Sequence, residues 1–145
     1  MEILILLFIV VIGTSFLCSV LESVLLSTNM SYISVLEKNN PVAGKLLKKL
    51  KIDIDKSIAS ILILNTIANT LGATAIGVQA QSVFEGHATF VMLISIILTF
   101  MILFFAEIIP KTIGAVHWKK LAPHAPRIIN IFIFITYPII IITQF

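Results

Sequence analysis

Long apolar runs separated by short basic stretches organise this chain. A helix needs about 20 mostly apolar residues to cross a bilayer core, and three runs reach that length. The first covers residues 2–27 and, after Glu2, holds a single charge, Glu22. The second, 57–80, holds none, and the third, 88–109, holds only Glu107. A fourth apolar stretch, 128–142, is shorter and is interrupted by Asn130 and Pro138. Its length and its proline favour a re-entrant or juxtamembrane helix pair within 120–145, broken at Pro138, over a full span. Between the first two runs, Asn40-Pro41 opens a short basic helix, 42–51, whose Leu46, Leu47 and Leu50 share a face. Such a helix lies on the membrane surface with its lysines near lipid phosphates. The expected fold is therefore an all-α membrane protein with three transmembrane helices.

Composition narrows the class further. The 145 residues fit one domain, 1–145, and they are 59% apolar and only 12% charged. With a mean hydropathy of +1.10, this excludes a disordered chain and an ordinary soluble domain, which carries about 25% charge. The first run lacks the basic start, the short apolar core and the cleavage site of a secretory signal peptide. Cys18, the single cysteine, has no disulfide partner and no zinc-type spacing. A net charge of +3 would suit nucleic acid, but the lysines flank apolar runs instead of lining a polar face, so no nucleic-acid partner is expected. No Ser/His/Asp or Cys/His constellation, Gly-rich phosphate loop or metalloprotease motif occurs, and no enzymatic activity is expected.

Charge asymmetry sets the topology. Residues 28–56 carry Lys38, Lys45, Lys48, Lys49, Lys51 and Lys56 against Glu37, Asp53 and Asp55. Residues 110–127 carry Lys111, Lys119, Lys120 and Arg127 with no acid, whereas 81–87 carry only Glu85. Basic segments stay cytoplasmic, which places the N-terminus outside and both basic segments inside. The setting is a cell membrane crossed several times, with membrane lipids as the surroundings.

Polar groups at membrane depth are the functional candidates. Glu107 sits in Ala106-Glu107-Ile108-Ile109-Pro110-Lys111. Pro110 has no N–H, so the Ala106 carbonyl loses its helical partner. A carboxylate beside a free carbonyl offers hard oxygen donors for Mg²⁺, Ca²⁺ or Na⁺. Equally, Pro110 can simply end the helix, with Glu107 paired to Lys111 one turn on. Asn65 and Asn69, four apart, project from one face of the second run. Two such amides can share a cation, or can serve as interhelical glue, the commoner use. Ser19, Glu22 and Ser23 share a face of the first run. Together the three runs can bring hydroxyl, amide, carboxylate and carbonyl oxygens into one inward-facing pocket.

These residues resemble a known family. The run Cys18-Ser19-Val20-Leu21-Glu22-Ser23-Val24-Leu25-Leu26-Ser27 is similar to the first-helix motif of the CNNM/CorC transmembrane domain, usually a Ser-Gly-Ser-Glu-Thr-Ala-like string. Ser60-Ile61-Leu62-Ile63-Leu64-Asn65-Thr66-Ile67-Ala68-Asn69 resembles its second-helix motif with paired asparagines. Ala106-Glu107-Ile108-Ile109-Pro110-Lys111-Thr112 resembles its Gly-Glu-(Ile/Leu)-x-Pro-Lys-Thr signature, the most specific of the three. All three occur in the family's order, so the resemblance spans almost the whole chain.

The resemblance implies a homodimeric Mg²⁺ transporter, an exporter that exchanges Mg²⁺ for Na⁺. It also implies three spans followed by a membrane-embedded juxtamembrane helix pair, and a dehydrated cation in an inward-facing pocket. On the matching positions Ser19, Asn69 and Glu107 would be ligands, with Asn65 beside them and carbonyls near Pro110 completing the shell. Glu22, Ser23, Ala106, Pro110 and Lys111 would support or gate that site. Val20 and Leu21 replace the usual Gly-Ser and Ala106 replaces Gly, which bears on pocket width and ion choice. Full-length members continue into paired cystathionine-β-synthase-type domains that bind ATP. This chain ends at Phe145 and is expected to be either the transmembrane part of such a protein or a transmembrane-only member, in a prokaryotic plasma membrane. Two rivals come from other classes. A small proton-coupled multidrug exporter would want aromatic residues around its membrane glutamate, and only Phe16, Phe104 and Phe105 lie near Glu22 and Glu107. A non-transporting anchor or sensor would use the same polar groups only to hold helices together.

Overall fold

The computed structural model describes residues 2–84 and 87–143, so the outer-loop acid Glu85 and the last two residues lie outside the described residues. The chain is helical throughout, with no strand among the described residues: α1 (Glu2–Ser27), α2 (Met30–Asn39), α3 (Pro41–Ile52), α4 (Ile54–Val83), α5 (Ala88–Met101), a π-helical segment (Ile102–Ile108), α6 (Ile109–Leu121) and α7 (Ala125–Thr143). Four helical stretches, Glu2–Ser27, Ile54–Val83, Ala88–Leu121 and Ala125–Ile142, are long and apolar enough to cross a membrane. Large apolar side chains cover much of their exterior, among them Leu6, Leu71, Ile97 and Phe134. That surface requires lipid or another apolar partner as its solvent. The protein is a membrane protein.

Between the first two long helices the sequence supplies its own stops and starts. The Asn29 side chain caps α2 by accepting from the Tyr32 N–H. Asn40 does the same for α3 through Ala43, with Pro41 at the first helical position, where its missing N–H has no bond to lose. The expected surface helix 42–51 is thus α3, and α2 precedes it in what the sequence presents only as a basic stretch. Ile33 and Leu36, three apart, are the buried side of α2. Lys51, in the last turn of α3, donates to the Leu25 carbonyl at 2.9 Å and to that of Leu26 at 3.4 Å. Its ammonium therefore covers the negative end of α1. Burial pulls this lysine below the usual value.

Packing is organised around α1, which lies against α4 on one side and against α6 and the π segment on the other. At the basic end, Leu21, Val24 and Leu25 of α1 join Ile33, Leu36, Leu47, Leu50, Ile61 and Ile129 in one core. Toward the other end a smaller cluster forms from Val11, Ile76 and Leu98. A polar layer separates the two.

Two expectations change. The third long helix does not end at Ile109 but continues through the π segment into α6, which kinks at His117 (φ −105°, ψ 17°) before it ends at Leu121. Pro110 is accommodated because the preceding turn widens: the Ile109 N–H bonds to the Phe104 carbonyl, five residues back, and Pro110 falls in the first turn of α6. There its missing N–H leaves the Ala106 carbonyl without its usual helical donor. Likewise Pro138 lies inside α7 and does not break it; the interruption in 120–145 falls instead at 122–124, between α6 and α7. Thr136 bonds back to the Phe132 carbonyl at 2.8 Å and fastens the turn before the proline, a tolerance common in membrane helices.

Candidate cation site

The polar layer is built from a stripe on α1. Ser15, Ser19 and Ser23 are spaced by four, so their hydroxyls rise along one face, and each donates to a different partner. Ser15 Oγ donates to Asn65 Oδ1 of α4 at 2.6 Å. Ser19 Oγ donates to the Ala106 carbonyl at 2.7 Å, and Ser23 Oγ to the Lys111 carbonyl at 2.7 Å. The first and second serines are fully buried, so each bond also removes the penalty of an unpaired hydroxyl.

The Ala106 bond ties the proline to the stripe. Pro110 cannot supply the N–H that an α-helix would give the Ala106 carbonyl, and the Ser19 hydroxyl takes that place. Glu107, the next residue, is half-buried in the π segment, a deformation that recurs at functional sites. Among the described residues its carboxylate has neither an ion pair nor a hydrogen bond. Lys111 pairs instead with Glu22, at 3.4 Å, which replaces the Glu107–Lys111 alternative raised by the spacing in sequence. Glu22 is the more buried partner, with 15% of its side chain exposed against 47% for Lys111.

On α4, Asn65 and Asn69 do not share a fate. Asn65 accepts from Ser15, while Asn69 Oδ1 is buried with no hydrogen-bond partner. An acceptor left this way loses its hydration without recompense, and an oxygen of this kind suits a hard cation. Among the described residues no three His, Cys, Asp or Glu side chains cluster. A cation here would be held mainly by amide, hydroxyl and carbonyl oxygens, with Glu107 and Glu22 as the carboxylates on these helices. The structure links Ser19 to the Ala106 carbonyl, Ser23 to that of Lys111, and Lys111 to Glu22; no direct bond joins Glu107 or Asn69 to the others.

Two residues escape a reading of the sequence alone. Ser15 is legible only as the residue four before Ser19, and nothing charged marks it. Gly114 sits so close to α1 that a Cβ there would meet Ser23 Cβ and the Val20 carbonyl, each at 2.8 Å. Its counterpart on α4, Gly72, packs its backbone directly onto the Val11 side chain. Further along α4, Gly77 faces open space.

Comparison with known proteins adds an independent line. The family model described as the cyclin M transmembrane N-terminal domain matches residues 5–145. The chain is 32% identical over 114 residues to the UPF0053 protein sll1254 of Synechocystis sp., covering 79% of this chain and 32% of that protein. It is 32% identical over 119 residues to a UPF0053 protein of Haemophilus influenzae, covering 82% of this chain and 28% of the relative. Over 101 residues it is 34% identical to the UPF0053 inner membrane protein YfjD of Escherichia coli, covering 70% of this chain and 23% of YfjD. The matched region thus spans about a third or less of the curated relatives. With the three sequence motifs carried on α1, α4 and the π segment, and a family match across nearly its full length, the chain belongs to the CNNM family as a cyclin M transmembrane N-terminal domain.

Proposed function

We propose that this domain carries Mg²⁺ across the membrane, binding it as a dehydrated substrate among Ser19, Asn69 and Glu107, with Asn65 and the Ala106 carbonyl beside them. The observation that supports this reading most is the buried, unpartnered Asn69 Oδ1, about four turns into α4 and one turn beyond the Asn65 amide that Ser15 holds. Mg²⁺ takes about six oxygens at close to 2.0–2.1 Å and releases water reluctantly. The dehydration step is therefore the costly one, and an assembled oxygen set lowers that cost.

In this reading the N-terminus is outside, the pocket opens inward, and Na⁺ binding on the other side drives Mg²⁺ efflux. Two copies form the transporter through their exposed apolar flanks. The setting is a prokaryotic plasma membrane, in keeping with the relative named as an inner membrane protein. Cytosolic ATP-binding domains act on the membrane part in the longer proteins. The multidrug alternative is less well supported: a groove beside the π segment is lined by Phe100, Phe104 and Phe105 with Ile97, Met101 and Ile109, and neither glutamate lines it.

Calorimetric titration of Mg²⁺ into detergent-purified wild type and Glu107→Gln tests the assignment. Saturable binding in wild type and its loss in a variant with unchanged helicity and melting temperature is the expected result. Unchanged binding in the variant removes Glu107 from the site.

A further inference from the structure

We propose that the basic end of the domain holds an anionic glycerophospholipid in a recess between α3, α4 and α7. The recess, about 70 Å³, is lined by Leu46, Lys49, Asp53, Lys56, Asn130 and Ile133, among others. It shares Lys56, Asn130 and Ile133 with a groove of about 320 Å³ that continues along α7 past Phe134 and Tyr137. A polar end thus opens directly onto an apolar wall. That is the shape of an amphiphile: a headgroup in the recess and an acyl chain against Ile133, Phe134 and Tyr137.

Charge selects the headgroup. Two lysines and one aspartate give the recess a net +1, the complement of one phosphodiester. The Lys49 ammonium has no acidic partner among the described residues, and Lys56 lies over the Tyr137 ring at 5.1 Å, inside the mouth shared by recess and groove. Asp53 stands at the N-terminus of α4, yet its side chain makes no capping bond. The first-turn N–H groups of α4 are therefore left without a side-chain acceptor at the positive end of the helix. The same uncommitted carboxylate can accept from the hydroxyls of a glycerol headgroup. Ser57 is committed elsewhere, to the Leu50 and Asp53 carbonyls at 3.1 Å each, so it shapes the recess and does not bind. Basic pockets between membrane helices are known places for acidic headgroups. The phosphatidylglycerol class fits all three features: one phosphodiester charge, hydroxyl donors and acyl chains.

Native mass spectrometry of the purified chain in an uncharged detergent, with phosphatidylglycerol or phosphatidylcholine added at equal concentration, tests this. Wild type is expected to retain phosphatidylglycerol preferentially. Removing both recess lysines in Lys49→Gln/Lys56→Gln should weaken that retention about twenty-five-fold, at roughly fivefold per lysine. A second double variant, Lys45→Gln/Lys48→Gln, removes the same charge from α3 outside the recess and should keep the preference. Circular dichroism and melting temperature establish that both variants fold. Equal retention of the two lipids by wild type overturns the proposal, and so does an equal loss in both double variants, which marks diffuse attraction to a basic surface. Neither inorganic phosphate nor glycerophosphoglycerol should displace the bound lipid. Displacement by either overturns the lipid assignment in favour of a headgroup-only site.

Discussion

Toward α6, helix α1 presents Ser19 and Ser23, both of which donate to main-chain carbonyls. Toward α4 it presents Ser15, which donates to a side-chain amide, and one turn beyond that amide Asn69 keeps a buried oxygen unmatched. Both flanks also bring a glycine against α1, Gly114 on one and Gly72 on the other. The difference lies in what can move. A carbonyl fixed in a helix cannot turn away from its donor, so the α1–α6 flank is a rigid seam. An amide on a flexible side chain can exchange its hydroxyl partner for a cation, so the α1–α4 flank is where a bound ion can change the bonding. For a transporter this separates a frame from a moving part.

The largest effect is expected where the rigid seam is tightest. In Gly114→Ala the new methyl meets the Val20 carbonyl at 2.8 Å, and a backbone atom cannot rotate aside. Overpacking of this kind costs about 1–3 kcal/mol, set against about 1 kcal/mol gained from helix propensity. A net loss of about 2 kcal/mol follows from an upper-range clash. In Gly72→Ala the methyl meets both Cγ atoms of Val11 and also its Cβ, the last at 3.0 Å; turning χ1 relieves the Cγ contacts but not the Cβ one. Its net cost should be about 1 kcal/mol, an overpacking cost of about 2 kcal/mol less the helix-propensity gain. Melting temperatures in detergent check the order, and equal shifts would erase the distinction between the flanks.

Removing single polar groups sharpens the comparison further. Ser19→Ala leaves the Ala106 carbonyl buried without a donor and should cost about 1–2 kcal/mol whether or not Mg²⁺ is present. Asn69→Leu should act in the opposite sense. It removes an unpaired buried oxygen and is expected to raise stability by about 1 kcal/mol in Mg²⁺-free buffer. The variant should then show no further rise when Mg²⁺ is added, whereas wild type gains stability with the ion through linkage. Thermal unfolding with and without Mg²⁺ reads both variants. A destabilised Asn69→Leu would mean that its amide is packing glue and would return the site to the plain helix-contact reading.

How far the sequence foretells this arrangement depends on the length scale of the cause. The long apolar runs, the Asn40-Pro41 start of α3 and the polar residues at membrane depth follow from local chemistry, and all are readable from the chain. The freed Ala106 carbonyl is also readable, because it needs only the absence of an N–H on Pro110. Its acceptance of the Ser19 hydroxyl is not, since the two lie 87 residues apart. Pro110 and Pro138 mislead for a related reason. A proline is a helix breaker where water or nothing else meets the freed carbonyl, and a π turn or a packed neighbour removes that condition. Lys111 misleads through spacing: the i, i+4 rule favours Glu107, but the widened turn alters side-chain phase, and the partner found is Glu22 on α1. Family membership was legible from three short motifs because they carry the residues that hold this layer.

The smallest stability effect belongs to that same ion pair. Lys111 is 47% exposed, and a pair so open to solvent is worth at most about 1 kcal/mol. Lys111→Ala should therefore barely move the melting temperature. Its consequence for function is of another kind. The Lys111 carbonyl is held by Ser23 and its ammonium by Glu22, so one residue of α6 is fastened twice to α1 beside the Pro110 turn. Alanine keeps the carbonyl bond and removes the ammonium. The seam stays closed while Glu22, mostly buried, loses its counter-charge and is free to attract a cation. Mg²⁺ flux into proteoliposomes should then fall more than Mg²⁺ affinity measured by calorimetry. A proportional loss of both would place Lys111 in the binding step instead of the conformational one.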